Sequence, residues 1–182
     1  NTGTFRVSNT KSVLFDGSND FAALDTDDGA TWEALIGGSG NDAKPYSIAL
    51  WFRVASITDA SPLLYCFGAT DRHITIAGGT LGSDSVLQAL HGSSTIWRKN
   101  TTVLAVNTWY HAVVTFNGGS NNGGDKTAYI YFNGLREDGA TTTSGTPTTI
   151  ETADSQLAGY NTVSNSFNGH INNFAVWNKV LT

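Results

Sequence analysis

The chain reads as an all-β protein in which two antiparallel sheets pack face to face. Two observations carry that reading. Short strand-like runs recur along most of the 182 residues, with Gly, Asn, Asp or Pro turn signals between nearly every pair. Apolar residues make up 40% of the chain and charged residues only 14%, with Gly, Ser, Thr and Asn filling the gap. That balance belongs to many short strands joined by polar turns. A chain of this length can bury one large core, so a single domain over residues 1–182 is expected.

The opening runs are Phe5-Arg6-Val7 and Ser12-Val13-Leu14-Phe15, followed by the turn Asp16-Gly17-Ser18-Asn19 and a short run at 20–24. A helix of one or two turns is predicted over 28–36, capped by Asp27 or Asp28 and stopped by Gly37-Gly38. The longest run, 46–54, alternates Ser47, Ala49, Trp51 and Arg53 with Ile48, Leu50 and Phe52 on the opposite face. Further runs follow at 63–67, 73–77, 85–91, 95–99, 109–116, 127–132 and 155–158. Asn133-Gly134 predicts a two-residue hairpin turn, because both residues tolerate the positive φ of type I′. Residues 117–125 and 140–147 are read as exposed loops. The last run, 171–177, is expected to alternate Ile171, Asn173, Ala175 and Trp177 with Asn172, Phe174 and Val176, after a turn at Asn168-Gly169.

Charge narrows the partners. The net charge is −5 and the basic residues are scattered, so neither a nucleic-acid footprint nor an anionic-membrane patch is expected. No apolar run is long enough for a bilayer-spanning helix. The lone cysteine, Cys66, lies in an apolar run and is read as a buried thiol. The chain contains no methionine, which leads to the expectation of a segment from a larger protein. No phosphate-binding loop, His-Glu-x-x-His or Gly-x-Ser-x-Gly elbow is present. The single Gly37-Gly38-Ser39-Gly40-Asn41-Asp42 stretch is read as a loop, because calcium-binding repeats of that kind act by stacking.

Five blocks together resemble the laminin-G-like, concanavalin A-type jelly roll. They are residues 12–21 (SVLFDGSNDF), 46–52 (YSIALWF), 109–116 (WYHAVVTF), 128–134 (AYIYFNG) and the closing FNGHINNFAVWNKVLT from Phe167. The resemblance implies a two-sheet sandwich whose first and last strands meet, with Leu14-Phe15 and Phe174–Val176 sharing a core. It also implies a carbohydrate- or surface-binding module. Glycoside hydrolases of this fold type carry E-x-D-x-E, yet the glutamates here are Glu33, Glu137 and Glu151 in three separate segments. A non-catalytic protein is therefore expected.

Related folds hold a structural calcium between the opening and closing strands. The resemblance assigns Asp16, Asp20 and Asn172 as its ligands, with Asn172-Asn173 standing where the family carries an acidic pair. Trp51, Trp109 and Trp177 fall in family blocks and are assigned to packing. His111 is likewise read as structural, and His170 as a surface turn residue. Aromatic residues, with Arg98 beside Trp97, supply the ligand-binding candidates: Tyr65, His91, Trp97, Arg98 and Tyr160. Sugars stack on exposed rings while neighbouring polar groups bond their hydroxyls. The expected role is a module that binds a glycan and docks a larger protein, extracellular or on a cell or virion surface. The alternative is a structural or protein-interaction domain of a virion or extracellular assembly.

Overall fold

The computed structural model describes residues 11–23, 45–56, 61–66, 72–77, 86–91, 96–99, 101–117, 128–137, 141–142, 156–159 and 167–182. The expected run at 5–7, the helix at 28–36, the Gly37-Gly38 stretch, Glu33, Glu151 and Tyr160 lie outside the described residues.

Every described element is a strand. They are β1 (Val13–Asp16), β2 (Ala22–Ala23), β3 (Tyr46–Val54), β4 (Ser61–Cys66), β5 (Arg72–Ala77), β6 (Val86–His91) and β7 (Ile96–Lys99). They continue as β8 (Trp109–Phe116), β9 (Ala128–Phe132), β10 (Leu135–Glu137), β11 (Thr141–Thr142), β12 (Gln156–Leu157) and β13 (Asn168–Trp177). One sheet has the order β1-β13-β3-β8-β9-β10 and the other β11-β7-β6-β5-β4-β12-β2. The first and last strands pair antiparallel, Val13 opposite Ile171 and Phe15 opposite Gly169, as the two-sheet reading requires. Residues 141–142 pair with β7, where a loop was expected.

The core follows from alternation along the two central strands of the six-stranded sheet. Ile48, Leu50, Phe52 and Val54 of β3 point inward beside Tyr110, Ala112, Val114 and Phe116 of β8. Leu87, Ala89 and Leu157 come from the other sheet to close the layer. Phe52 is fully buried and lies against Tyr110 and Phe132, with ring centroids 5.6 and 6.4 Å away. Phe15 joins this core, with Phe174 and Val176 packed against it. Leu14 does not: it is opposite His170 and 58% exposed, because strand geometry turns the neighbour of an inward residue outward.

Two glycines are required by geometry. Gly134 and Asn133 turn the β9–β10 hairpin at φ +85° and +50°, as expected of a type I′ turn. Asn133 also clamps β8: its side-chain oxygen accepts from the His111 N–H at 3.0 Å, and its own N–H donates to the His111 carbonyl at 2.8 Å. Gly169 corrects the sequence reading. It is not in a turn but inside β13, at φ +153°, where a Cβ would stand 2.1 Å from the Arg53 carbonyl oxygen and 2.8 Å from Phe167 Cζ. The backbones of β13 and β3 approach so closely there that only glycine fits.

Glu137 fastens the far edge of the same sheet. Its Oε2 accepts from the Thr101 N–H at 2.7 Å and the Thr102 N–H at 2.9 Å, and both threonine hydroxyls donate to the carboxylate. Partial burial pushes this carboxyl up, but the combined hydrogen bonds from Thr102 and Thr101 hold it below its ordinary value. Its contribution to stability is therefore full above the unfolded value near 4.5 and is lost as pH falls through the folded one. Glu137→Gln should lower stability at pH 7 by about 1 kcal/mol and flatten the acid limb of urea unfolding midpoints against pH. Gly169→Ala should cost about 3 kcal/mol in the same assay, by overpacking against β3.

A candidate binding face on the six-stranded sheet

Alternation that sends Leu50 and Phe52 into the core sends Trp51 and Arg53 out of it. Their partners on β8 are His111 and Trp109, and on β13 Asn172 and His170. Two cross-strand rows therefore lie side by side on the outer face: Asn172, Trp51, His111 and, one step along, Leu14, His170, Arg53, Trp109. Trp51 is 40% and Trp109 39% exposed, which overturns their assignment to packing. The signal was in the sequence: the period-2 pattern of 46–54 already set Trp51 opposite Leu50 and Phe52.

The rings are held by neighbours. The Trp51 indole lies 4.9 Å from the His111 ring at 32°, and Trp109 lies 6.1 Å from His170. His170 is anchored by a 2.9 Å hydrogen bond between its Nδ1 and Ser12 Oγ, and it sits within β13 rather than in a turn. The loop before Trp109 is pinned where Asn107 N–H donates to the Val54 carbonyl at 2.6 Å and Ala105 N–H donates to the Tyr110 hydroxyl at 2.9 Å. Trp109 thus leaves a fixed point.

A bulge completes the site. Asn172 pairs with Trp51 and Ala175 with Ala49, so three steps on β13 (172 to 175) span two on β3 (51 to 49). Asn173 takes φ +50°, a conformation Asn tolerates better than most residues, and is exposed. The extra residue breaks the expected alternation: Ile171, Phe174 and Val176 all pack on the core, while Asn172 pairs with the outward Trp51 and Ala175 with Ala49. Trp51, Trp109, Asn172 and Asn173 line a cleft of ≈ 290 Å³. That is close to the lower end of the range for small-molecule sites, about 300–1,000 Å³.

The other candidates fall on the seven-stranded sheet. Backbone pairing aligns Tyr65 with His73, His73 with Leu90 and Leu90 with Trp97, so Tyr65 and Trp97 share one row. His91 aligns with Arg72 and Ile96, and Arg98 with Ala89, each one residue off that row. The four are not brought into a single row.

The calcium set does not converge. Asp16 and Asp20 do meet, with Asp20 Oδ2 accepting from the Asp16 N–H at 3.0 Å and Asp16 Oδ1 accepting from the Ser18 N–H at 2.7 Å. Asp16, however, stands opposite Asn168, four residues before Asn172 on β13. At ~3.3 Å per strand residue that separates them by roughly 13 Å, too far for oxygens that must each come within about 2.6 Å of one ion. Among the described residues, no group of three or more His, Cys, Asp or Glu is placed to hold a metal.

These strands and their order define a known class. Residues 16–182 match the Laminin_G_3 family, described as the concanavalin A-like lectin/glucanases superfamily, and the chain belongs to it. No curated protein sequence matches. Among solved structures, the chain resembles the CBM40 domain of the Ruminococcus gnavus IT-sialidase bound to α2,3-sialyllactose, with TM-score 0.65 and 14% identity over 95% of this chain and 92% of that one. It also resembles domain 4 of AbnA, an extracellular GH43 arabinanase of Geobacillus stearothermophilus in complex with arabinotriose (TM-score 0.54, 18% identity, 79% of this chain). The chain spans 64% of that domain. Mouse laminin α1 LG4–5 is similar at TM-score 0.56 and 16% identity, with 91% of this chain and 40% of that chain covered. At these identities the likeness is one of fold.

Burial holds the His111 ring below its ordinary value of 6.5, because the charged form is desolvated against the sheet. The unfolded chain therefore takes up this proton at higher pH than the folded one. Stability is unaffected above about 6.5 and declines as pH falls toward the folded value. Thermal midpoints should drop between pH 7 and 5, and His111→Gln should remove part of that drop.

Proposed function

We propose that this domain is a non-catalytic carbohydrate-recognition module that docks a larger extracellular protein, and that it holds sugar at the Trp51–Trp109 cleft. The cleft is the observation that carries the reading. Two half-exposed indoles offer faces for the C–H side of a sugar ring, and Asn172 and Asn173 offer amide donors and acceptors for its hydroxyls. Neighbours of the same fold bound to arabinotriose and sialyllactose support a glycan as the ligand. Among the described residues Glu137 is the one glutamate, and its carboxylate is committed to Thr101 and Thr102.

An interaction role through the sheet edge is a second reading, favoured by Val13 and Leu14, 59% and 58% exposed on edge strand β1. A concentration-dependent sedimentation coefficient abolished by Leu14→Lys would select it.

Glycan-array binding followed by titration tests the principal reading. Trp51→Ala and Trp109→Ala should each weaken the bound glycan at least about tenfold, 1.4 kcal/mol, in variants whose melting curves show them folded at the titration temperature. Loss of binding in Trp97→Ala alone would move the site to the seven-stranded sheet.

A further inference from the structure

The outer face carries a charge that a platform for neutral sugar does not require. Arg53 is half-buried between Trp109 and His170, its cross-strand neighbours on β8 and β13. Those two rings approach to 6.1 Å across β3, and the Arg53 guanidinium carbon lies 5.9 Å from the Trp109 centroid. Arg53 Nε is shut off from solvent and has no hydrogen-bond partner. Neither outer row contains an Asp or Glu: the neighbours are Leu14, His170, Trp109, Asn172, Trp51 and His111. Among the described residues, a guanidinium so placed has given up part of its hydration without gaining a counter-charge.

Position then names the partner. Arg53 is two residues from Trp51 on β3, roughly 7 Å along the same face, and is paired with Trp109 on β8. It therefore stands beside both indoles that line the cleft. A sugar ring resting on either indole brings a carboxylate on its rim within reach of the guanidinium. The planar fork matches a carboxylate with two parallel hydrogen bonds, in surroundings where charge is only partly screened by water.

We propose that the cleft takes a carboxylate-bearing sugar, of hexuronate type, whose ring stacks on Trp51 or Trp109 and whose carboxylate binds Arg53. This specificity rests on the recognition reading above. His111 and His170 frame the same rows, and Arg53 is the group there whose planar fork matches a carboxylate.

The test uses matched ligands on the unmodified chain: polygalacturonate, alginate and hyaluronate, each beside its carboxyl-reduced neutral counterpart, titrated at 50 and 500 mM NaCl. At least one acidic polymer is expected to bind about tenfold or more tighter than its reduced form, with the gap narrowing at high salt. Arg53→Gln should erase the gap and leave the weaker neutral binding in place, and Arg53→Lys should restore part of it. Equal affinity for acidic and reduced forms, with binding lost in Trp51→Ala, would overturn the acid preference while leaving the recognition reading intact. Failure of all six polymers to bind the unmodified chain would overturn the hexuronate inference, and the glycan array then decides the recognition reading separately.

Discussion

The structure turns on the register of β3. This strand is bonded along nearly its whole length to β8 on one side and β13 on the other. Its side chains can be divided between core and surface in only two ways, and a one-residue slip would exchange them. Leu50 and Phe52, fully buried, decide which way is realised. Burying a phenylalanine of this kind is worth about 3–5 kcal/mol when measured by truncation, so the alternative register is strongly disfavoured. The outward position of Trp51 and Arg53 is the other half of the same constraint. Core and candidate site are set by one alternation.

The bulge at Asn173 and the glycine at 169 act on that frame from β13. Gly169 lets the strand enter against the Arg53 carbonyl, which fixes where His170 and Asn172 stand relative to Arg53 and Trp51. The extra residue then re-phases the strand, so that Phe174 and Val176 return to the core that Ile171 already occupies. Without it, one group or the other would face solvent. The same irregularity brings Asn173 beside Asn172 at the cleft. A packing requirement and a cluster of amides thus arise from a single inserted residue.

Much of the sheet was legible because long alternating runs leave little freedom. The bounds of β3 and β8 coincide with the runs read at 46–54 and 109–116, and Asn133-Gly134 marked the hairpin turn. The bulge left one mark, the doubled amide Asn172-Asn173 that interrupts alternation between Ile171 and Phe174, and a reading with an unbroken period of two passed over it. The two-residue pairing of β11 was too short to give a pattern. The site was half legible. Parity placed Trp51 outward, but residue type and family position argued for burial, and parity was the sounder guide. Asp16, Asp20 and Asn172 were grouped by position in the family blocks, and strand register, which sequence does not display, holds Asn172 apart from the other two.

The central claim is that ligand meets the outer face of the six-stranded sheet. Titrating an array-identified glycan into ¹⁵N-labelled protein and following the five tryptophan indole N–H signals tests it most directly. The account predicts that Trp51 and Trp109 shift together and saturate at one affinity, while Trp97 stays in place. A saturating shift of Trp97 with Trp51 and Trp109 unmoved would contradict it.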